Sequence, residues 1–303
     1  MLSMFTTDLP ERLKRFSIPG RVSVLEGNGD LPKIGVTTDW STAEIYLHGA
    51  QVTDFQRKAE APLLFTSQCS GFASGQPIRG GIPIIFPWFG AKESGPSHGF
   101  ARIAEWELHE ATTVPDGGVT LRFSLPLTAE GAMWLPFAAN YVVTITDTLA
   151  LELTITNLSG DETFDFENCL HTYLSVGDVE KVSVTGLKGA AYFDKADNFA
   201  QKVDQAETIQ IASEVDRIYY DTASAVEVAD PTLRRRIRID KSGSASTVVW
   251  NPWITKARQM PDFGNDEYKQ MLCVESGNVA KNRKYLPPGR SAVLKVVLSS
   301  SPL

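Results

Sequence analysis

Short runs of alternating apolar and polar residues dominate the chain. Val119-Thr120-Leu121-Arg122-Phe123 and Leu151-Glu152-Leu153-Thr154-Ile155-Thr156 place an apolar side chain at every second position, the period of a strand with one face buried. Tyr141-Val142-Val143-Thr144-Ile145-Thr146 precedes the second run across Asp147-Thr148-Leu149-Ala150, so a hairpin is the simplest connection. Further strands are predicted at Arg21 to Leu25, Glu44 to Leu47, Lys181 to Thr185, Leu233 to Ile239, Thr247 to Trp250, Met271 to Val274 and Ala292 to Leu298. Turn-forming clusters such as Gly27-Asn28-Gly29-Asp30, Pro115-Asp116-Gly117-Gly118 and Pro287-Pro288-Gly289 separate several of them. Helical periodicity is scarce, with short helices predicted only around Pro10 to Phe16 and Ile254 to Met260.

Many short antiparallel strands bury an apolar face only by closing or by stacking on a second sheet, so the pattern predicts an all-β sandwich or barrel. The chain has 303 residues, 43% of them hydrophobic, enough for one large core or two smaller ones. No composition shift, repeat or flexible linker divides it. One large β-sandwich is the economical reading, and two sandwiches packed without a linker share the same pattern.

Charge and cysteine usage narrow the function classes. A net charge of -7 without long acidic blocks argues against a nucleic-acid surface, which carries a basic excess. A local arginine pair still leaves small anions open as ligands. Met1-Leu2-Ser3-Met4-Phe5-Thr6-Thr7-Asp8 lacks a basic leader and an apolar core, and no window has the length of a membrane span. A cytoplasmic protein without membrane or nucleic-acid partners is therefore expected. Cys69, Cys169 and Cys273 are widely spaced with no CxxC, which suggests neither a disulfide framework nor a zinc site, but three free thiols in or near the core.

Chemistry concentrates in a few segments. Gln76-Pro77-Ile78-Arg79-Gly80-Gly81-Ile82-Pro83 and Ser97-His98-Gly99-Phe100-Ala101-Arg102 bracket the apolar run Ile84-Ile85-Phe86-Pro87-Trp88-Phe89. Guanidinium forks suit phosphate and carboxylate oxygens, and glycine lets backbone approach a ligand closely. The stretch reads as half of an anionic small-molecule site. Glu167-Asn168-Cys169-Leu170-His171-Thr172-Tyr173-Leu174 places His171 inside a strand-like run, and Cys273-Val274-Glu275-Ser276-Gly277-Asn278 places Glu275 at the end of another. Each alone reads as a polar residue on the outer face of a sheet. Converging with the arginine loop, they form an imidazole and carboxylate acid/base pair.

These motifs, in this order, resemble the hexose-6-phosphate mutarotases (glucose-6-phosphate 1-epimerases) of the aldose 1-epimerase superfamily. The resemblance is carried by Gly80-Gly81-Ile82-Pro83, Phe86-Pro87-Trp88-Phe89-Gly90, His98-Gly99-Phe100-Ala101-Arg102, Leu170-His171-Thr172-Tyr173, Trp250-Asn251-Pro252-Trp253 and Glu275-Ser276-Gly277-Asn278. It runs from about Arg21 to the C-terminus, which sets residues 1–20 apart as an N-terminal extension and 21–303 as a single β-sandwich epimerase domain. It implies a galactose-mutarotase-like β-supersandwich and interconversion of the α and β anomers of a hexose 6-phosphate. It assigns Glu275 as general base, His171 as general acid, His98 as a second active-site imidazole, and Arg79 and Arg102 as phosphate ligands. Asp216, in Glu214-Val215-Asp216-Arg217-Ile218-Tyr219, resembles the acidic residue that meets sugar hydroxyls.

Ring opening explains the residue types: a base takes the C1 hydroxyl proton while an acid protonates the ring oxygen. His171 then starts protonated and Glu275 ionised, which ordinary values of roughly 6.5 and 4.3 allow near neutrality with modest tuning. No metal or other cofactor is needed, and a monomer acting on a small sugar phosphate is expected. A mutarotase for a free aldose and a noncatalytic sugar-phosphate binding protein remain as alternatives. Arg234-Arg235-Arg236-Ile237-Arg238 reads as one strand with exposed arginines and acidic neighbours, and His48 and His109 as structural or solvent-facing. Trp88, Trp250 and Trp253 suit either core packing or a sugar face.

Overall fold

The structure is a computed structural model that describes residues 11–126 and 136–303. The amino-terminal segment Met1 to Asp8, and Pro10 at the start of the first predicted helix, lie outside the described residues. Two large antiparallel sheets stack against each other. The nine-stranded sheet has Arg235–Ser242, Ser291–Pro302, Leu149–Asn157, Phe137–Ile145 and Val119–Ser124 side by side. The alternation that predicts these strands is the alternation of their burial: along Leu149–Asn157 every second residue from Leu149 is buried. The expected hairpin closes with Ile145 opposite Leu149.

The eight-stranded sheet carries the candidate chemistry. Its strands run in the order Ala200–Val203, Ala191–Asp194, Val215–Tyr220, Ser246–Asn251, Met271–Asn278, Asn168–Leu170 and Ile84–Ile85, with Tyr173–Ser175 also paired to Met271–Asn278. Both faces of its central strands are covered, so Ser246–Asn251 and Met271–Asn278 are buried at every position. Val249, Leu272, Val274, Leu170 and Leu174 join the core between the sheets, together with Leu151, Leu153, Leu294 and Val296 from the opposite sheet. Each such aliphatic side chain contributes roughly 1.5–3 kcal/mol by leaving water. The opposite face holds a second cluster that includes Cys169, Tyr173, Ile218, Val248, Trp250 and Cys273.

Register places the site. Asp216 pairs with Trp250, Trp250 with Cys273, and Tyr173 with Cys273. Directly paired residues point to the same side of a sheet, so Asp216, Trp250, Cys273 and Tyr173 form one row on the outward face. Glu275 stands two residues along from Cys273 and shares that face.

Several sequence expectations are corrected. Glu275 lies within the eight-residue strand Met271–Asn278, not at a strand end. His171 sits in the break between Asn168–Leu170 and Tyr173–Ser175: the two short strands pair with Met271–Asn278 in one continuous register that sets His171 opposite Glu275, and the ladder is interrupted where the Thr172 amide turns back to the Leu170 carbonyl at 3.0 Å. The helices shorten to Glu11–Lys14 and Trp253–Ala257. Cys69 is exposed, while Cys169 and Cys273 are buried as expected. Of the arginine run, Arg236 and Arg238 are exposed beside Glu227 and Asp240, but Arg235 is buried and donates to the carbonyls of Ala61, Pro62 and Ser175. Leu13 and Phe16, within the expected extension, pack into the main core.

Candidate active site

The arginine-bearing loop depends on glycine. Gly80 and Gly81 follow Arg79 with φ of 126° and 59°, and a Cβ on Gly81 would lie 2.2 Å from the Val52 carbonyl oxygen. Only a residue without a side chain allows this turn against a neighbouring backbone. Gln51 Nε2 then clamps the loop by donating to the carbonyls of Ile78 at 3.1 Å and Gly80 at 2.7 Å. His48, buried, places Nε2 2.6 Å from the Gln76 carbonyl, which gives it a structural part, whereas His109 is exposed.

From this loop Arg79 donates through Nε to Asp262 Oδ2 at 3.1 Å and through Nη1 to the Tyr173 hydroxyl at 3.1 Å, with Nη2 2.9 Å from the same Asp262 oxygen. Burial works against its charge, but Tyr173 and Asp262 outweigh burial and hold the guanidinium above its ordinary value. Arg102, in the short turn Ala101–Ile103, is buried and donates through Nη2 to the Ser97 carbonyl at 2.7 Å. Its Nε has no hydrogen-bond partner. Burial, opposed by Tyr173 and reinforced by Arg79, takes this guanidinium down to about 10, so it stays charged at neutral pH.

His98 has a left-handed backbone, φ 65°, and its ring meets Phe89 and His171 edge-on with centroids 4.8 and 5.7 Å away. The Gly90 amide donates to Nδ1 at 3.3 Å, so the neutral ring carries its proton on Nε2. Burial, then the charges of Arg102, Lys195 and Arg79, push its pKa down to about 3.

His171 stacks on Tyr173 at 4.8 Å and meets the edge of Trp250 at 6.2 Å. Its Nε2 lies 3.2 Å from Glu275 Oε1, while Nδ1 is buried without a partner. The Cys169 thiol donates to Glu275 Oε2 at 3.5 Å. Burial drives both members of the pair toward neutrality: the imidazole falls well below its ordinary value, helped by His98, and the carboxyl rises well above its own, helped by Asp216. A carboxylate with an imidazolium holds as many protons as a carboxylic acid with a neutral imidazole, so the pair titrates as a unit. Its one-proton state is net neutral and is favoured by burial over the states on either side. Two large opposed shifts thus replace the modest tuning expected from sequence.

Asp216, buried, lies 3.2 Å from Lys195 Nζ and 3.5 Å from Lys256 Nζ. All six candidate residues are brought to this face or its rim. Of the tryptophans, Trp250 borders the site, Trp88 packs edge-on against Phe100 and Trp253 packs against Tyr268. Sequence reasoning missed Asp262, Lys195 and the Cys169 thiol as neighbours of the site, and gave Tyr173 no role. Tyr173 and Cys169 carry a local signal, each two positions from His171, whereas Asp262 and Lys195 carry none.

A ring nitrogen of His171, Cys273 Sγ and a Glu275 oxygen lie within 4.8 Å of one another, a donor set of the type zinc accepts. The imidazole and carboxylate already face each other at 3.2 Å, and His171 Nδ1 lacks the outer partner that orients a metal-binding imidazole. The geometry therefore fits proton exchange better than metal binding.

The arrangement is that of a β-supersandwich with an imidazole and a carboxyl group facing each other on the outward face of one sheet. The crystal structure of a "putative mutarotase (YeaD)" from Salmonella typhimurium superposes with a TM-score of 0.87 at 27% identity, covering 95% of this chain and 96% of that one. A galactose mutarotase related enzyme from Lactobacillus acidophilus shares the fold, with a TM-score of 0.71 at 13% identity over 89% of this chain and 97% of its own. A family model described as Aldose 1-epimerase matches residues 33–299. Proteins named "Putative glucose-6-phosphate 1-epimerase" are similar along most of the chain: one from Cenchrus ciliaris is 34% identical, over 86% of this chain and 82% of its own. Another from Escherichia coli (strain K12) is 31% identical, over 80% of this chain and 81% of its own. The chain belongs to the aldose 1-epimerase family and is an enzyme of the isomerase type.

Proposed function

We propose that the protein interconverts the α and β anomers of a hexose 6-phosphate, with glucose 6-phosphate the first substrate to test. The observation that carries the reading is the 3.2 Å contact between His171 Nε2 and Glu275 Oε1, beside two guanidinium groups whose charges act on the same imidazole. Substrate enters between imidazole and carboxylate. Glu275 takes the proton from the C1 hydroxyl and His171 gives one to the ring oxygen, so the C1 to O5 bond breaks and the open aldehyde forms. Rotation about C1 to C2 presents the other carbonyl face, and the two groups run in reverse. The dyad ends each cycle with the proton count it began with.

The remaining residues hold the sugar. His98 offers Nε2–H to a sugar oxygen, Asp216 accepts from hydroxyls, and Arg102 and Arg79 bind the 6-phosphate away from the reacting bond, so binding energy orients C1. The relatives named for glucose 6-phosphate support this substrate class. One observation favours a free aldose instead: Arg79 already spends Nε and Nη2 on Asp262.

The test follows pure α-glucose 6-phosphate to equilibrium by NMR or by a coupled β-specific dehydrogenase, with wild type and Glu275→Gln in parallel. Wild type accelerates the approach, and Glu275→Gln loses roughly 10²–10⁴-fold, the usual worth of a positioned base. Acceleration of free glucose alone selects the free-aldose reading. Full activity in Glu275→Gln removes the base assignment.

A further inference from the structure

We propose that Lys195 is a positioning residue for ring opening: its ammonium pins the Asp216 carboxylate and offsets the negative charge that Asp216 presents to Glu275. The inference rests on the acid/base reading of Glu275 and is independent of the phosphate. Lys195 opens the turn Lys195–Asp197, directly after the strand Ala191–Asp194. That strand pairs with Val215–Tyr220, Asp194 opposite Arg217, which delivers Lys195 beside Asp216. Nζ lies 3.2 Å from Asp216 Oδ2 and 5.8 Å from the centre of the Phe89 ring, and Phe89 abuts His98. The side chain therefore spans from the Asp216 end of the row to the loop that carries His98. Lys256 also approaches Asp216, but at 3.5 Å, and it is held more closely by Glu214 at 3.0 Å.

The charges explain why a cation is needed there. Glu275 is faced by His171 from the strand break, by the Cys169 thiol from the adjoining short strand, by Cys273 on its own strand and by Asp216 across the row. Beyond the imidazole stand His98, Arg79 and Arg102. Among the groups acting on Glu275, Asp216 disfavours its ionised form and Lys195 favours it. Without Lys195, two buried carboxylates share one face with less compensation, and the base holds its proton more tightly. A protonated Glu275 cannot accept the C1 hydroxyl proton.

The test compares wild type, Lys195→Met, Lys195→Arg and the double variant Lys195→Met/Asp216→Asn in the anomerisation assay across pH, with thermal unfolding of each. Lys195→Met is expected to lower kcat by about tenfold with a smaller change in KM, and to move both limbs of the pH profile up by about one unit, the usual effect of losing one nearby opposite charge. Lys195→Arg restores the limbs. The double variant also returns them toward wild type, because it removes the charge that Lys195 offsets. Limbs unmoved in Lys195→Met, or in the double variant displaced as far as in the single, would overturn the proposal. Should Lys195→Met not fold, unshifted limbs in Lys195→Gln overturn it equally. Wild type and Glu275→Gln in the same assay report separately on the acid/base reading.

Discussion

Arg102 gives the sharpest contrast between what helps the empty protein and what helps turnover. Its guanidinium is buried, with one hydrogen bond to the Ser97 carbonyl and an Nε that has no partner. Under the proposed phosphate assignment two charge-assisted bonds to phosphate are lost in Arg102→Met, each worth roughly 1.5–3 kcal/mol. The sum, roughly 3–6 kcal/mol, corresponds to about two to four decades in kcat/KM for the phosphorylated sugar. Arg79→Met should cost less, because phosphate must first take Nε and Nη2 from Asp262. In the empty protein the balance reverses: methionine fills similar volume without a buried charge, so the thermal midpoint of Arg102→Met should hold or rise. The assay pairs anomerisation of α-glucose 6-phosphate with that of α-glucose, and adds urea denaturation. Equal loss on both sugars, or destabilisation beyond about 2 kcal/mol, contradicts the reasoning.

Two further outcomes are expected. Turnover should hold a plateau across neutral pH, bounded on the acid side where His171, held well below 6.5, takes a second proton, and on the alkaline side where Glu275, held well above 4.5, releases the shared one. Profiles on free glucose and on the sugar phosphate separate this from titration of the phosphate itself, and a single limb centred on about 6.5 would show an isolated histidine instead. Gly81→Ala, with φ of 59° and its methyl 2.2 Å from the Val52 carbonyl, should lose roughly 1–3 kcal/mol in denaturation and raise KM by displacing Arg79; an unchanged urea midpoint and KM count against the role given to this turn.

The sequence discloses elements according to how many of their faces are buried. Leu151 to Thr156 alternates because one face meets the core and the other meets water, so the strand is legible. Met271–Asn278 is covered on both faces, its apolar and polar residues do not alternate cleanly, and the predicted run stops at Val274. His171 and Glu275 could be paired as chemistry, yet their standing opposite each other follows only from the continuous register in which two short strands share one neighbour. Lys195 and Asp262 reach the site from segments with no motif of their own. Asp194 opposite Arg217 is a register fact, and register joins residues far apart in the chain. The burial of Arg235 has the same origin, since its three carbonyl acceptors come from two other segments.

The placement of Glu275 and Val274 on opposite faces of one strand has a consequence for folding. A slip of Met271–Asn278 by a single residue would turn Cys273 and Glu275 into the space between the sheets and bring Leu272 and Val274 out to the pocket. A carboxylate forced without a partner into that aliphatic layer costs several kcal/mol, a large fraction of what a domain has in reserve. The groups proposed to carry the reaction thus also penalise a misaligned sheet: a chain that folds out of step would lose that proposed chemistry and its stability together.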